Sequence, residues 1–191
     1  MSLLDRIKSA FRKAPKPEDD PVVTIFGVSA PLSVMEKAAE AMQAESANRV
    51  DYLGKAAIAG HESIAAVRAG DLDKAWDLYL DQKSLYLQHA NQWEWNAQDT
   101  IALTASLDKN LANILRLKGR HHDALPHVLY WAAAQAHRPS KHHGQKIRAY
   151  FNRCKLKNTT LDEVTAFVAL SAEHPDLRAI QDKVQEWIAR G

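Results

Sequence analysis

The feature that most constrains this chain is a turn signature that occurs twice, at Gly70-Asp71-Leu72-Asp73-Lys74-Ala75 and at Gly119-Arg120-His121-His122-Asp123-Ala124. Each copy lies between two stretches of helical periodicity. A glycine can end a helix in the left-handed conformation, and an alanine five residues later lets the next helix pack closely against the first. The two copies therefore predict two antiparallel helical hairpins in an all-α fold.

Length and composition predict one helical domain with an additional N-terminal segment. The 191 residues are 46% hydrophobic and 25% charged, which is ordinary for a globular protein. Cys154 is the single cysteine, so an internal disulfide is impossible and we expect a packed thiol in a reducing compartment. The sequence shows neither a run of about 18 apolar residues nor an apolar leader, and we expect a cytoplasmic protein.

The formal net charge of +2 conceals a strong segregation of charge along the chain. Residues 21–115 contain 7 lysines and arginines against 12 acidic residues, whereas residues 116–157 contain 10 against 1. Six of the nine histidines also lie in residues 116–157, so the positive potential of this segment increases as the pH falls. Such a segment predicts an acidic partner.

The first 31 residues differ in character from the rest. Residues 1–13 have the pattern of a short amphipathic helix, which could contact an anionic membrane surface, a partner or second copy, or its own domain. Residues 14–31 predict a linker, because three prolines fall within residues 14–21. Residues 22–26 are β-like, but no second run of that kind is available, so we expect an extended segment, or a strand paired across a dimer.

From residue 32 onward the periodicity is helical, and we expect residues 32–191 to form a single all-helical domain. The predicted helices span about 32–48, 51–69, 71–90, 97–118, 121–136, 143–155, 160–173 and 176–190. Five aromatic side chains fall on apolar helix faces and are predicted core residues, namely Trp76, Tyr79, Tyr130, Trp131 and Trp187. Trp93 and Trp95 flank a predicted turn, so we expect at least one of them to be exposed.

Residues 105–131 resemble a tetratricopeptide repeat. The match rests on Leu111-Ala112, Leu115, Gly119, Ala124 and Val128, and a weaker match covers Ser63 to Tyr79. The two turn glycines are 49 residues apart, whereas the period of this family is about 34 residues. The resemblance covers about residues 50–155 and implies a curved stack of hairpins whose first helices line a groove for a peptide or protein segment.

Lys109, Asn113 and Arg116 share one face of the helix that would line this groove. Lys109 and Asn113 resemble half of the carboxylate clamp by which some tetratricopeptide domains hold an acidic C-terminal peptide. An ammonium and an amide can both donate to one carboxylate, and an arginine can add a bidentate bond. The candidate binding residues are Lys109, Asn113, Arg116, Arg120, Arg148 and Asn152, the last two as the second half of the clamp.

The leading hypothesis is therefore a non-catalytic module that binds an acidic protein or peptide without a cofactor. The alternative is a nucleic-acid-binding protein that uses the basic surface of residues 116–157, with Tyr150 and Phe151 available for stacking. An Arg-x-x-x-x-His spacing at Arg116 and His121 resembles that of some all-helical ribonucleases, although Gly119 interrupts it. The histidine spacings are irregular and lack cysteine partners, which disfavours a metal site.

Overall fold

The computed structural model describes residues 20–25, 28–47, 49–138 and 140–191. The chain divides into two compact units, Met1–Val50 and Asp51–Gly191. The predicted helix at 1–13 and most of the predicted linker lie outside the described residues.

The first unit contains two strands and one helix in its described part. Strands β1 (Val22–Ile25) and β2 (Val28–Pro31) form an antiparallel pair with Val22 opposite Pro31, and helix α1 (Leu32–Ala47) follows directly. The expectation that residues 22–26 find no partner within the chain is therefore wrong. A two-stranded ladder pairs through backbone groups. The second strand can therefore be the short segment Val28-Ser29-Ala30-Pro31, although it contains no run of β-branched residues.

The second unit is entirely helical in its described residues, which confirms the all-α prediction. Its helices are α2 (Tyr52–Ala69), α3 (Leu72–Gln92), α4 (Ala97–Ala105), α5 (Asp108–Leu117), α6 (His121–Ala134), α7 (Lys141–Cys154), α8 (Leu161–Ser171) and α9 (Leu177–Ala189). The predicted helix 97–118 is divided at Ser106-Leu107, where Ser106 Oγ donates to the carbonyl of Leu103 at 2.6 Å. Helix α7 starts at Lys141, two residues before the predicted start at residue 143.

Both turn glycines have the predicted left-handed conformation. The φ angles are +80° at Gly70 and +73° at Gly119. The following amide closes each turn, since Asp71 N–H donates to Ala66 O at 3.0 Å and Arg120 N–H donates to Leu115 O at 2.8 Å. The alanines five residues after each glycine, Ala75 and Ala124, are fully buried, so the predicted close approach of the helices is confirmed.

Helix α6 is the centre of the second unit. All of its residues from Ala124 to Ala134 are buried, and helices α4, α5, α7, α8 and α9 pack against it. A helix that is buried on every side needs neighbours all round, and α9 supplies one of them through Ile180, Val184 and Trp187. The final helix thus packs along α6.

The aromatic and cysteine predictions agree with this core. Tyr79, Tyr130, Trp131 and Trp187 are buried, and Trp76 is half-buried against the core. Cys154 is a buried free thiol, and burial raises its pKa to about 12. Trp93 and Trp95 remain 48% and 42% exposed, as predicted for residues that flank a turn.

No helix in the described ranges has both the length and the apolar character needed to cross a membrane.

Candidate ligand-binding face

Helix α5 separates its apolar and polar residues along two sides. Leu111, Ile114 and Leu115 are buried on one side. On the other, Arg116 donates from Nε and Nη2 to the Oδ1 atom of Asn113, at 3.1 and 2.8 Å. The structure thus brings two of the predicted site residues into direct contact.

Lys109 lies one turn before Asn113 and contacts a tryptophan of the neighbouring helix. Its Nζ atom is 5.7 Å from the centre of the Trp131 ring, and His143 of α7 makes an edge-to-face contact with the same ring at 4.5 Å. Trp131 therefore lies between a cation of α5 and an imidazole of α7. Burial, with a smaller effect of His142, lowers the pKa of His143, so this imidazole is held in its neutral form more strongly than a free histidine.

The other end of the polar stripe meets Tyr150 of α7. Burial raises the pKa of Tyr150, and the nearby positive charge of the Arg116 guanidinium opposes that rise. The guanidinium carbon of Arg153 is 5.9 Å from the centre of the Tyr150 ring. Two arginines from different helices therefore border one buried phenol.

The residues that make these contacts define a surface, which we call the α5–α7 face. It consists of the polar residues Lys109, Asn113, Arg116, His143 and Arg153 above the buried rings of Trp131 and Tyr150. None of its three permanent cations forms an ion pair with a carboxylate in the described ranges. Cations held in place without an acidic partner can bind an incoming anion.

The remaining predicted site residues lie elsewhere. Arg120 begins α6 and pairs with Asp123 of the same helix at 2.7 Å. Arg148 and Asn152 are exposed on α7, each two residues from Tyr150, and residues two apart in a helix do not face the same way. The α7 residues that meet Trp131 and α5 are His143 and Tyr150, which were not among the predicted clamp residues.

A pattern in the sequence could have identified the α7 side correctly. His143, Ile147, Tyr150 and Cys154 repeat at intervals of four and three residues and form the inward face of α7. Arg153 adjoins that face on the side of Tyr150, whereas Arg148 does not. Arg148 and Asn152 match the clamp by residue type, but they do not lie on the inward face of α7.

Arg116 and His121 have the ribonuclease-like spacing, but their side chains do not contact each other in the described structure. Arg116 instead bonds to Asn113 and lies near Tyr150. The carbonyl of His121 accepts a bond from Cys154 Sγ at 3.3 Å. Among the described residues, no group of three or more histidine, cysteine or acidic side chains could hold a metal ion.

A buried ionic network was missed by the sequence interpretation. Asp108 is fully buried, with one carboxylate oxygen 2.7 Å from Lys83 Nζ and the other 2.7 Å from His127 Nδ1. Burial raises the pKa of the neighbouring Tyr130 to about 12, and the negative charges of Asp108 and Asp176 add to the rise. The three network residues belong to α3, α5 and α6 and have no sequence pattern in common.

Comparison with known proteins identifies no relative of this chain. No protein-family model, no curated protein and no solved structure matches it.

Proposed function

We propose that this chain is a non-catalytic binding module that holds an acidic segment of a partner protein on the α5–α7 face. The observation that carries the proposal is that Lys109 and Arg116 are both half-buried, both held beside aromatic rings, and both without a described acidic partner. A carboxylate from a ligand supplies the missing charge at each position.

The bond between Arg116 and Asn113 prepares the face for this role. Because Oδ1 of Asn113 accepts from Arg116, the amide nitrogen of Asn113 keeps its two protons for a ligand. Arg116 has five N–H groups, so several remain for a second carboxylate. The ligand carboxylate nearest Lys109 then receives a bond from the ammonium and one from the Asn113 amide.

The spacing of the two cations specifies the ligand. Lys109 and Arg116 are seven residues apart, which is about 10 Å along a helix axis. An extended peptide in the polyproline conformation advances about 9 Å over three residues and presents every third side chain on one side. The best-matched segment therefore has acidic residues at positions i and i+3.

A tetratricopeptide-like scaffold is the architecture that we propose for this function. The hairpins α2–α3 and α5–α6 have the glycine turn and the buried alanine of such repeats. In this arrangement α5 and α7 are the first helices of successive hairpins, and first helices line the groove. This is consistent with binding residues on α5 and α7.

Nucleic-acid binding is the second candidate, and one observation favours it. Helix α7 contains Lys141, Lys146, Arg148 and Arg153 and no acidic residue. Against it, Tyr150 and Trp131 are buried and Phe151 is packed against the core, so these rings are not free to stack on bases. Binding through this helix would therefore depend on phosphate contacts and would weaken steeply with salt.

The two candidates are separated by titrating a labelled peptide with aspartates at i and i+3, and a labelled single-stranded RNA, against the same variants. We expect Lys109→Gln with Arg116→Gln to weaken peptide binding by about a hundredfold, as expected for two charge-assisted bonds. The control pair Lys141→Gln and Arg148→Gln removes the same charge from exposed sites and should leave peptide affinity within about twofold. Tight RNA binding that only the control pair weakens, together with no peptide binding, would support the second candidate.

A further inference from the structure

A cleft, which we call the His127 cleft, lies where the start of α6 meets α3, α5 and α9. Its volume is about 530 Å³, which falls in the range of small-molecule sites. It shares no lining residue with the α5–α7 face. The polar and aromatic residues that line it are Asp73, Trp76, Lys118, Arg120, Asp123, His127, Gln181 and Gln185.

His127 is oriented in this cleft by the buried network. The residue is 8% exposed, and its Nδ1 atom is fixed by Asp108, which is itself held by Lys83. The contact with Asp108 involves Nδ1, so Nε2 is the ring nitrogen that remains for a hydrogen bond with a ligand.

The network itself is better explained by this positioning than by stability. Buried ion pairs seldom stabilise a fold more than apolar residues of the same volume would. A histidine backed by a carboxylate, in contrast, has a defined tautomer and a fixed ring orientation. The indole of Trp76 restricts the ring further through an edge-to-face contact at 5.8 Å.

The mouth of the cleft is suited to an anion. Lys118 pairs with Asp73, whose side chain is 91% exposed, and Arg120 pairs with Asp123 on the surface. Exposed pairs of this kind are weak, so an incoming anion can replace the carboxylates. Arg120 is also the N-cap of α6, and no side chain caps that end of the helix, which leaves first-turn N–H groups for an oxyanion.

From these features we infer that the His127 cleft binds a phosphomonoester that carries a planar ring, of about the size of a nucleoside monophosphate. The phosphate lies at the start of α6 with Lys118 and Arg120. Arg120 and His127 are seven residues apart, which separates the two ends of the ligand by about 10 Å. The ring lies against Trp76 and forms a hydrogen bond with Nε2 of His127, while the amides of Gln181 and Gln185 face its polar edge.

The test is calorimetric titration of the full chain with four probes: adenosine, guanosine, cytidine and uridine monophosphates. Ribose 5-phosphate and the four nucleosides are the controls that lack the ring or the phosphate. We expect at least one nucleoside monophosphate to bind about tenfold or more tightly than its nucleoside and than ribose 5-phosphate. Failure of all four to bind at millimolar concentration, or equal binding of ribose 5-phosphate, would overturn the assignment.

Variants establish where the ligand binds. His127→Asn retains a donor to Asp108 near the position of Nδ1 but removes Nε2, so it tests the ligand contact while keeping the network. We expect His127→Asn and Lys118→Gln each to weaken binding by about tenfold or more. Lys141→Gln, an exposed cation of α7, is the matched control and should change nothing. Thermal unfolding confirms that each variant is folded, and unchanged affinity in folded His127→Asn would contradict the proposal.

Discussion

Arg116 donates two hydrogen bonds to a single oxygen of Asn113, one turn before it on α5. This pair uses the amide oxygen of Asn113 and leaves its two protons for a ligand, while Arg116 lies near Tyr150 without a described carboxylate partner. We therefore expect a negative charge introduced at position 113 to prevent the face from binding an acidic ligand.

Asn113→Asp tests this relationship. The substitution keeps an oxygen for Arg116 but replaces the outward amide with a second oxygen and adds a negative charge. We expect the affinity for the diacidic peptide to fall by more than tenfold, because the ligand carboxylate now meets a like charge. The free energy of unfolding should be unchanged or higher by less than about 1 kcal/mol, since Arg116 gains an ion-pair partner. Unchanged affinity in fluorescence anisotropy would show that the ligand does not contact Asn113.

The buried network predicts a large difference between two aspartates. Asp108→Asn removes the charge that balances Lys83 and bonds His127, and we expect it to lower the free energy of unfolding by about 3 kcal/mol. Asp123→Asn breaks only the surface pair with Arg120 and should cost less than about 1 kcal/mol. Urea denaturation of the two variants measures both quantities. Equal losses would mean that the interior tolerates an unbalanced Lys83.

Burial of two weak acids predicts a loss of stability in alkaline solution. The pKa of Cys154 is raised from 9.0 to about 12, and that of Tyr130 from 10.0 to about 12. A group with a raised folded-state pKa contributes stability that is complete below its unfolded pKa and is lost as the pH rises towards the folded value. Denaturation free energies should therefore fall between pH 9 and pH 12.

Cys154→Ala is the control for this pH dependence. It removes the thiol contribution and leaves that of Tyr130, so the decline should begin nearer pH 10. A variant whose stability falls from pH 9 as steeply as that of the parent would show that Cys154 is not the source. Iodoacetamide should also label the parent thiol slowly in buffer and rapidly in urea, because only the thiolate reacts.

A turn glycine and a glycine inside a helix predict stability changes of opposite sign when each is replaced by alanine. An added Cβ meets no atom within 4 Å at Gly70, Gly119 or Gly144, so crowding is not a factor. Gly119→Ala places alanine at a φ of +73° and should cost about 1 kcal/mol. Gly144→Ala, inside α7, should instead stabilise by about 0.5 to 1 kcal/mol. A loss of stability in both variants, seen in thermal unfolding, would contradict this explanation of the turn.

Local signals in the sequence were sufficient for most of the helices. The conformation of Gly70 and Gly119 and the burial of Ala75 and Ala124 followed from short-range chemistry. The division of the predicted helix 97–118 at Ser106 did not, because it depends on how α4 and α5 each pack against α6. Strand β2 was missed because its pairing uses the backbone and leaves no periodic pattern.

In the candidate site, too, the sequence predicted which residues share one helix face but not the contacts between helices. Lys109, Asn113 and Arg116 lie on one helix, so their spacing alone places them on a common face. Their partners on α6 and α7 depend on the rotation of those helices, which matching residue types to a clamp could not supply. The network of Lys83, Asp108 and His127 joins three helices across the core, and no local pattern indicates such a contact.

The most direct test of the acidic-segment proposal is a double-mutant cycle between Arg116 and the second aspartate of the diacidic peptide. The four affinities come from Arg116 or Arg116→Gln, each with aspartate or asparagine at peptide position i+3. If the two groups bond, the coupling free energy should be at least about 1 kcal/mol. A coupling near zero, with each single change weakening binding independently, would contradict the proposed placement of the ligand on the α5–α7 face.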